Sequence, residues 1–354
     1  FGSSKQHADA RHSHLHRGAI AAMSISGQNR AARLGVAAGV IGAVAAGFYL
    51  WRRRQAKLRI ARLIIYPVKG CKGVEVKSAK LYPEGLEHDR EYLLVSKEET
   101  GTWSFRSLRD LPRMALIEPV LPTDDGRLEL RAPGMSPVEV GLPAADAQKI
   151  SVDMWGFPAS GLDCGDKAAE WFVKFLEKPG LRLLKHTGIH QIDPDYGSGS
   201  VRFNDGFPLL ISTEASCKDV EKTTGVKHAC ERMRPNLILS GAVVPYAEDF
   251  YRGVSVGGTG GEGGAAVRFN FLKACPRCTV PRVDPVTGVP GKDPVSGIKP
   301  YRSGKAIEKT DVVKKEFYGA FKGQIFWGQN AQPEMEKFYG GVAKLSVGDD
   351  AKWL

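Results

Sequence analysis

From Leu58 onward the apolar residues fall into short runs broken by turn-forming residues. The runs alternate or are β-branched instead of repeating at helical spacing. Segments 61–70 (ARLIIYPVKG), 92–97 (YLLVSK), 115–121 (ALIEPVL), 127–132 (RLELRA) and 138–143 (VEVGLP) read as strands separated by the turn signals KG, TDDG and APG. Strands are predicted again at 236–241 (NLILSG), 253–256 (GVSV), 266–272 (AVRFNFL), 278–284 (CTVPRVD), 324–330 (QIFWGQN) and 343–349 (AKLSVGD), with a turn over Phe317–Phe321. Helical spacing occurs at Lys167–Glu177, where Trp171, Phe172, Phe175 and Leu176 share a face. A second helix is predicted over Thr213–Thr224, capped by Ser212 or Thr213. So many short strands with few helices predict a mixed, β-rich fold, a barrel or sandwich rather than a parallel sheet.

A different pattern precedes this body. Leu34–Trp51 is an 18-residue uncharged run, rich in Gly and Ala. At ~1.5 Å per residue it spans ~27 Å, just enough for a hydrocarbon core of ~30 Å. Arg30 and Arg33 precede it; Arg52, Arg53, Arg54, Lys57 and Arg59 follow. The heavier basic flank is C-terminal, which predicts a retained single-pass anchor with the body facing the cytosol. Weak hydrophobicity with basic flanks suits a mitochondrial outer-membrane signal anchor. The alternatives are a buried core helix and a cleaved signal peptide. Gly35, Gly39, Ala43 and Gly47 recur every four residues and could pair two anchors, a spacing that also arises readily in so Gly- and Ala-rich a run. Residues 1–22 are His-rich and match no targeting signal, and Met23 is a candidate start. The expected organisation is a basic segment 1–33, an anchor 34–51, a β-region 58–180 and a second domain 181–354.

Net charge is +11, but nine of the 50 Lys/Arg and one of the 39 Asp/Glu lie in residues 1–57, a local +8; the remaining 41 basic and 38 acidic residues nearly balance. A nucleic-acid partner for the body therefore loses its main support. The six cysteines (71, 164, 217, 230, 275, 278) are scattered, and a cytosolic body predicts them reduced. Gly258, Gly260 and Gly263 match G-x-G-x-x-G, but the following VRFNFL alternates like a strand, so a hairpin loop is expected instead of a dinucleotide site. P-loop and H-E-x-x-H motifs do not occur.

Chemistry concentrates in 271–291, FLKACPRCTVPRVDPVTGVPG. Cys275 and Cys278 stand three apart, with no second pair at zinc-site spacing. A thiolate here suits a single soft ligand to a metal held mainly by another group. Lys69, Arg90, Asp205, Gly206, Arg234, Asn236 and Asn330 sit at junctions between apolar and polar stretches. Individually each reads as a solvated strand end. Together they make a cationic set with amides and turn backbone, suited to a phosphorylated, hydrogen-bond-rich organic cofactor.

The segments IYPVKGCKGVEV, HDREYLLV, DCGDKAAEWF, FPLLISTEAS, MRPNLILSG, YAED, ACPRCTVPRVDPVTGV and FWGQN, in this order, resemble the MOSC-domain proteins, specifically the mitochondrial amidoxime reducing components. The resemblance spans about residues 60–354. It implies an N-terminal MOSC β-barrel region followed by a MOSC domain, and a molybdenum cofactor (Mo-molybdopterin) with Cys278 as the protein's metal ligand and catalytic residue. Lys69, Arg90 and Arg234 would hold the pterin phosphate and ring. Asp205, Gly206, Phe207, Asn236, Arg277 and Asn330 would line the pterin, beside Gly70 and Pro276. Departures from the family pattern put single contacts in question: Gly70 and Pro276 replace Ser, Gly206 and Phe207 stand where hydroxyl residues are common, and Asn330 where a Tyr occurs. Pro276 also removes an N–H donor. The resemblance implies reduction of N-hydroxylated compounds (amidoximes, hydroxylamines) to the amidine or amine and water. The electrons would come from cytochrome b5 and NADH-cytochrome b5 reductase, confined with the enzyme to one membrane surface. Two alternatives stand beside it: nitrite reduction to nitric oxide with nitrate reductase as donor, and a thiol or sulfur carrier acting through Cys278.

Overall fold

In a computed structural model, residues 57–122, 125–188, 190–192, 194–257, 266–334 and 342–354 are described. The predicted anchor at 34–51 and most of the Gly-rich segment lie outside them. Among the described residues no helix is long and apolar enough to cross a membrane.

The largest sheet has eight strands in the order Val74–Val76, Arg59–Ile65, Leu237–Ser240, Leu209–Thr213, Phe326–Glu334, Val267–Pro276, Gly253–Val256, Ala351–Trp353. Every neighbouring pair is antiparallel except Leu209–Thr213 with Leu237–Ser240. Parallel neighbours need a crossover, and the helix Glu214–Thr224 lies within it. The same two strands explain their near-continuous apolar runs, because both sheet faces are covered. Leu209, Ile211, Leu237 and Leu239 face a core with Leu63, Ile65, Val254, Phe269 and Ala331. Leu210 and Ile238 face the other way, against Val220, Met233, Ile298 and Trp327.

A five-stranded antiparallel sheet runs Lys149–Met154, Phe157–Asp163, Leu181–His186, Tyr92–Lys97, Trp103–Phe105. The amphipathic helix Asp166–Leu176 buries Trp171, Phe172 and Phe175 with Leu94 and Leu183 on one face of it. Thus the strand just beyond residue 180 sits in the middle of the first region's sheet, while Arg59–Ile65 joins the large sheet of the second.

Both predicted helices are present. The second begins at a Thr213 cap, whose Oγ1 accepts from Ser216 N at 3.2 Å, and ends at Gly225 in the left-handed region. Other expectations are corrected. Segment 278–284 is no strand: the ladder ends at Pro276, and Pro281 opens a short 3-10 turn over Val280–Arg282. Segment 115–121 starts as the 3-10 helix Pro112–Leu116 and is extended only at Glu118–Val120. Phe317–Phe321 overlaps the helix Lys315–Ala320. The helix Pro294–Arg302 was hidden by its internal Gly297 and Pro300, both poor helix formers. The cysteines are not all reduced: Cys217 and Cys230 form a disulfide with Cα atoms 5.3 Å apart. The reason is tertiary: the helices Glu214–Thr224 and Ala229–Met233 turn back on each other inside one apolar cluster. VRFNFL is a strand, as expected, and Val256 pairs with Val267 across the Gly-rich connection.

Candidate active site

All twelve residues singled out from the sequence line one cavity of about 360 Å³. Lys69, Gly70, Arg90, Asp205, Gly206, Phe207, Arg234, Asn236, Pro276, Arg277, Cys278 and Asn330 come from six separate stretches. Most of these are strand ends. Arg90 precedes Tyr92–Lys97, residues 205–207 precede Leu209–Thr213, residues 234–236 precede Leu237–Ser240, and residues 276–278 end Val267–Pro276. Asn330 lies inside its strand, opposite Leu210 and Lys273.

Two of the lining arginines pack on Tyr66, which sequence reasoning missed. Its buried ring lies 4.0 Å from the Arg90 guanidinium and 4.2 Å from that of Arg234. Cation–π attraction offsets part of the repulsion between the two. Both arginines have left-handed backbone, φ +52 for Arg90 and +59 for Arg234, which is uncommon outside glycine and clusters at functional sites. Arg234 caps the helix Ala229–Met233, its N–H donating to Cys230 O at 3.0 Å. A glycine or asparagine would serve that cap more easily, so the position is occupied for the side chain it projects. The buried Asp89 carboxylate accepts from Arg90 Nη1 at 2.5 Å and from Tyr66 N at 2.8 Å.

Lys69 Nζ donates to Phe203 O at 2.9 Å and Asp205 Oδ1 at 2.5 Å, and Trp155 Nε1 donates to the same oxygen at 2.9 Å. Burial pushes Lys69 below the ordinary ammonium range, Arg90 and Arg234 adding to the effect against the pull of Asp205. Burial alone would raise the Asp205 carboxyl, but Lys69, the Trp155 N–H and Arg90 hold it well below the usual carboxylate range. Arg234 is pushed down to about 10, by burial and by Arg90. The cavity wall thus concentrates positive charge that its own carboxylates do not neutralise.

Two arginine nitrogens complete this picture. Arg234 Nη2 and Arg277 Nε are buried without a hydrogen-bond partner. Orphaned charged donors are costly unless a ligand satisfies them. Arg277 also donates to Cys275 Sγ at 3.0 Å and Met233 O at 2.9 Å, so it braces the cysteine loop against the helix end. Burial raises the Cys275 thiol despite Arg277, whereas Cys278 is exposed. Asn236 spends its amide on the fold, with Oδ1 accepting from Leu210 N and Nδ2 donating to Ile64 O at 3.1 Å. It shapes the wall through three strands instead of offering a free hydrogen-bonding edge.

Among the described residues no cluster of three or more His, Cys, Asp or Glu could hold a metal ion. A metal at Cys278 would take its other ligands from a bound organic group. Lys69, Arg90, Arg234 and the orphaned donors suit the phosphate of such a group, so the residues fit a pterin-phosphate metal cofactor. Sequence reasoning also missed Phe105, Arg109, Trp155 and Lys273 on the same wall. The Trp-Gly pair at a hairpin turn was the available signal for Trp155.

Comparison with known proteins defines the class first. Residues 57–179 match the MOSC N-terminal beta barrel domain and residues 198–322 the MOSC domain. The chain is 32% identical to mitochondrial amidoxime reducing component 2 of Macaca fascicularis, over 85% of this chain and 90% of that protein. It is 30% identical to mitochondrial amidoxime-reducing component 1 of Mus musculus, over 88% and 92%. A molybdenum cofactor sulfurase of Danio rerio is 28% identical over 70% of this chain and 31% of its own length. This chain belongs to the MOSC-domain family, among the mitochondrial amidoxime reducing components.

Proposed function

We propose that this protein is a molybdenum-cofactor oxidoreductase that reduces N-hydroxylated compounds, amidoximes and hydroxylamines, to the amidine or amine and water. The observation that carries the reading is the convergence of six stretches on one cation-rich cavity with orphaned arginine donors and an exposed Cys278. The relatives' names, amidoxime reducing component and molybdenum cofactor sulfurase, point the same way.

When bound, the cofactor supplies a Lewis-acidic metal and two electrons for cleavage of the N–O bond. The chain's residues supply the rest. Lys69, Arg90 and Arg234 clamp the phosphate, and Tyr66 holds the two guanidiniums in place. Cys278 offers its thiolate to the metal; Arg277 fixes the loop that carries it. Atoms balance as N–OH plus two electrons and two protons giving N–H plus water. We assign the electrons to cytochrome b5 and its NADH-dependent reductase, and the location to the mitochondrial outer membrane through residues 34–51, the body facing the cytosol.

The test is molybdenum content of the chain purified from a host that makes the cofactor, beside Cys278→Ala. Near-stoichiometric metal in the parent is expected. In the variant, loss or altered coordination should accompany a fall of more than about a hundredfold in benzamidoxime turnover. Full turnover in C278A would refute the ligand assignment. A metal-free parent would sink the mechanism and leave Cys278 as a thiol carrier. Faster turnover of nitrite than of benzamidoxime, with nitrate reductase as donor, would replace the substrate class.

A further inference from the structure

We propose that Trp155 determines substrate specificity: its ring is a shelf at the cavity on which a planar substituent of the substrate lies, favouring flat neutral or anionic molecules over aliphatic or cationic ones. The proposal rests on the N-reductive reading above.

Trp155 and Gly156 form the two-residue loop between Lys149–Met154 and Phe157–Asp163, whose last pair is Met154 with Phe157. Their φ values are +61 and +89. Such a turn asks for Asn-Gly or Asp-Gly, and a bulky residue in the left-handed region is strained. The turn therefore does not explain the tryptophan. Nor does the core, since the residue is 47% exposed. What the surroundings do is fix the plane of its ring. The indole N–H donates to Asp205 Oδ1 at 2.9 Å, Phe105 meets the ring edge-on at 5.2 Å, and the Arg109 guanidinium lies over one ring face, 4.8 Å from its centroid. Arg109 thus takes one side of the ring, while the half-exposed residue lines the cavity, and a ring held in one orientation there offers its remaining surface for stacking. Phe207 provides another on the same cavity, with its ring 6.2 Å from Tyr196 and the Lys273 ammonium 5.9 Å away. Trp155, Phe105, Arg109, Phe207 and Lys273 all line the cavity that Cys278 lines. The flanking Arg109 and Lys273 carry positive charge, which disfavours a cationic substituent beside either ring.

The experiment measures binding of benzamidoxime and acetamidoxime to the cofactor-loaded full chain without electron donor, by calorimetry, for the parent, Trp155→Ala and Trp155→Phe. The parent should bind the aromatic compound roughly five- to tenfold more tightly. W155A should bring the ratio close to one. W155F keeps a ring without the N–H and should retain most of the preference. The same ratios should appear in 1/KM during turnover. Equal affinities in the parent, or a preference that survives W155A, would overturn the shelf. So would loss in W155F as complete as in W155A, which assigns the effect to the Asp205 hydrogen bond. Benzamidoxime carrying a para carboxylate should bind more tightly than one carrying a para trimethylammonium, and the reverse order would overturn the charge preference. A parent that binds with the predicted preference but reduces neither compound keeps the shelf and refutes the reductase reading.

Discussion

Tyr66 holds the site together one residue at a time. It was invisible to motif reasoning because its contribution is a ring between two cations distant in sequence, Arg90 and Arg234. Its place is kept by Gly73: a Cβ there would come within 2.6 Å of both Tyr66 Cε1 and Ile64 Cγ2. The ring is nearly fully buried and is tethered by its hydroxyl, which donates to Pro235 O at 3.2 Å. Gly73→Ala is therefore expected to cost about 1–3 kcal/mol of stability, as overpacked cores do, and to lower cofactor retention, because the displaced ring carries both arginines. Denaturant unfolding and metal analysis of the variant check this; full metal content with unchanged stability would show that the ring can yield. Lys69, Arg90 and Arg234 were legible as candidates because cations at the ends of apolar runs need a reason. Asn236 was legible as a position, but not its work for the sheet, because its partners Leu210 and Ile64 are remote in sequence.

At the scale of elements, strands were easier to read than the short helices. Period-two patterns and turn residues mark strands locally, and both amphipathic helices were apparent. Ala229–Met233 and Gly304–Ile307 are too short to show a helical period. The fold of Ala229–Met233 against Glu214–Thr224 also produced the Cys217–Cys230 bond that scattered cysteine positions did not suggest. The bond closes a loop with a sequence separation of 13, for which chain entropy gives about 3 kcal/mol. Because Arg234 caps the helix Ala229–Met233, loosening that helix disturbs the cavity. Cys217→Ser should destabilise the oxidised protein by about 2–3 kcal/mol and weaken cofactor retention. A parent whose melting temperature does not respond to reductant, with both thiols free by mass spectrometry, would remove the bond from the account.

The whole molecule carries its charge unevenly, and its pH response follows from buried pairs more than from the net +11. Glu91, next to Arg90, lies 3.3 Å from His88 Nδ1 and 3.5 Å from Lys185 Nζ. Burial would raise its carboxyl, but His88, Lys185 and Arg202 outweigh burial and bring it from 4.5 to about 2. A folded-state pKa below the unfolded one contributes stability in full above about 4.5, lost as pH falls toward about 2. Glu91→Gln should therefore lower stability by on the order of 2 kcal/mol at pH 7. The gap from the parent should close by about pH 2, which paired unfolding curves at the two pH values would show. A gap independent of pH would mean that shape, not charge, holds Glu91. By itself the sequence pattern determined the β-rich class, the two predicted helices and the cavity positions Lys69, Arg90, Asp205, Gly206, Arg234, Asn236, Cys278 and Asn330, because strand patterning, caps and unexplained polar residues are local signals; Gly70, Phe207, Pro276 and Arg277 came with the family resemblance. Tertiary structure alone decided the rest: the parallel strand pair, the disulfide, the ring that bears two arginines and the tryptophan turned toward Asp205. Each depends on which distant segments the packed sheets bring within a few ångströms, and chain order does not encode those distances.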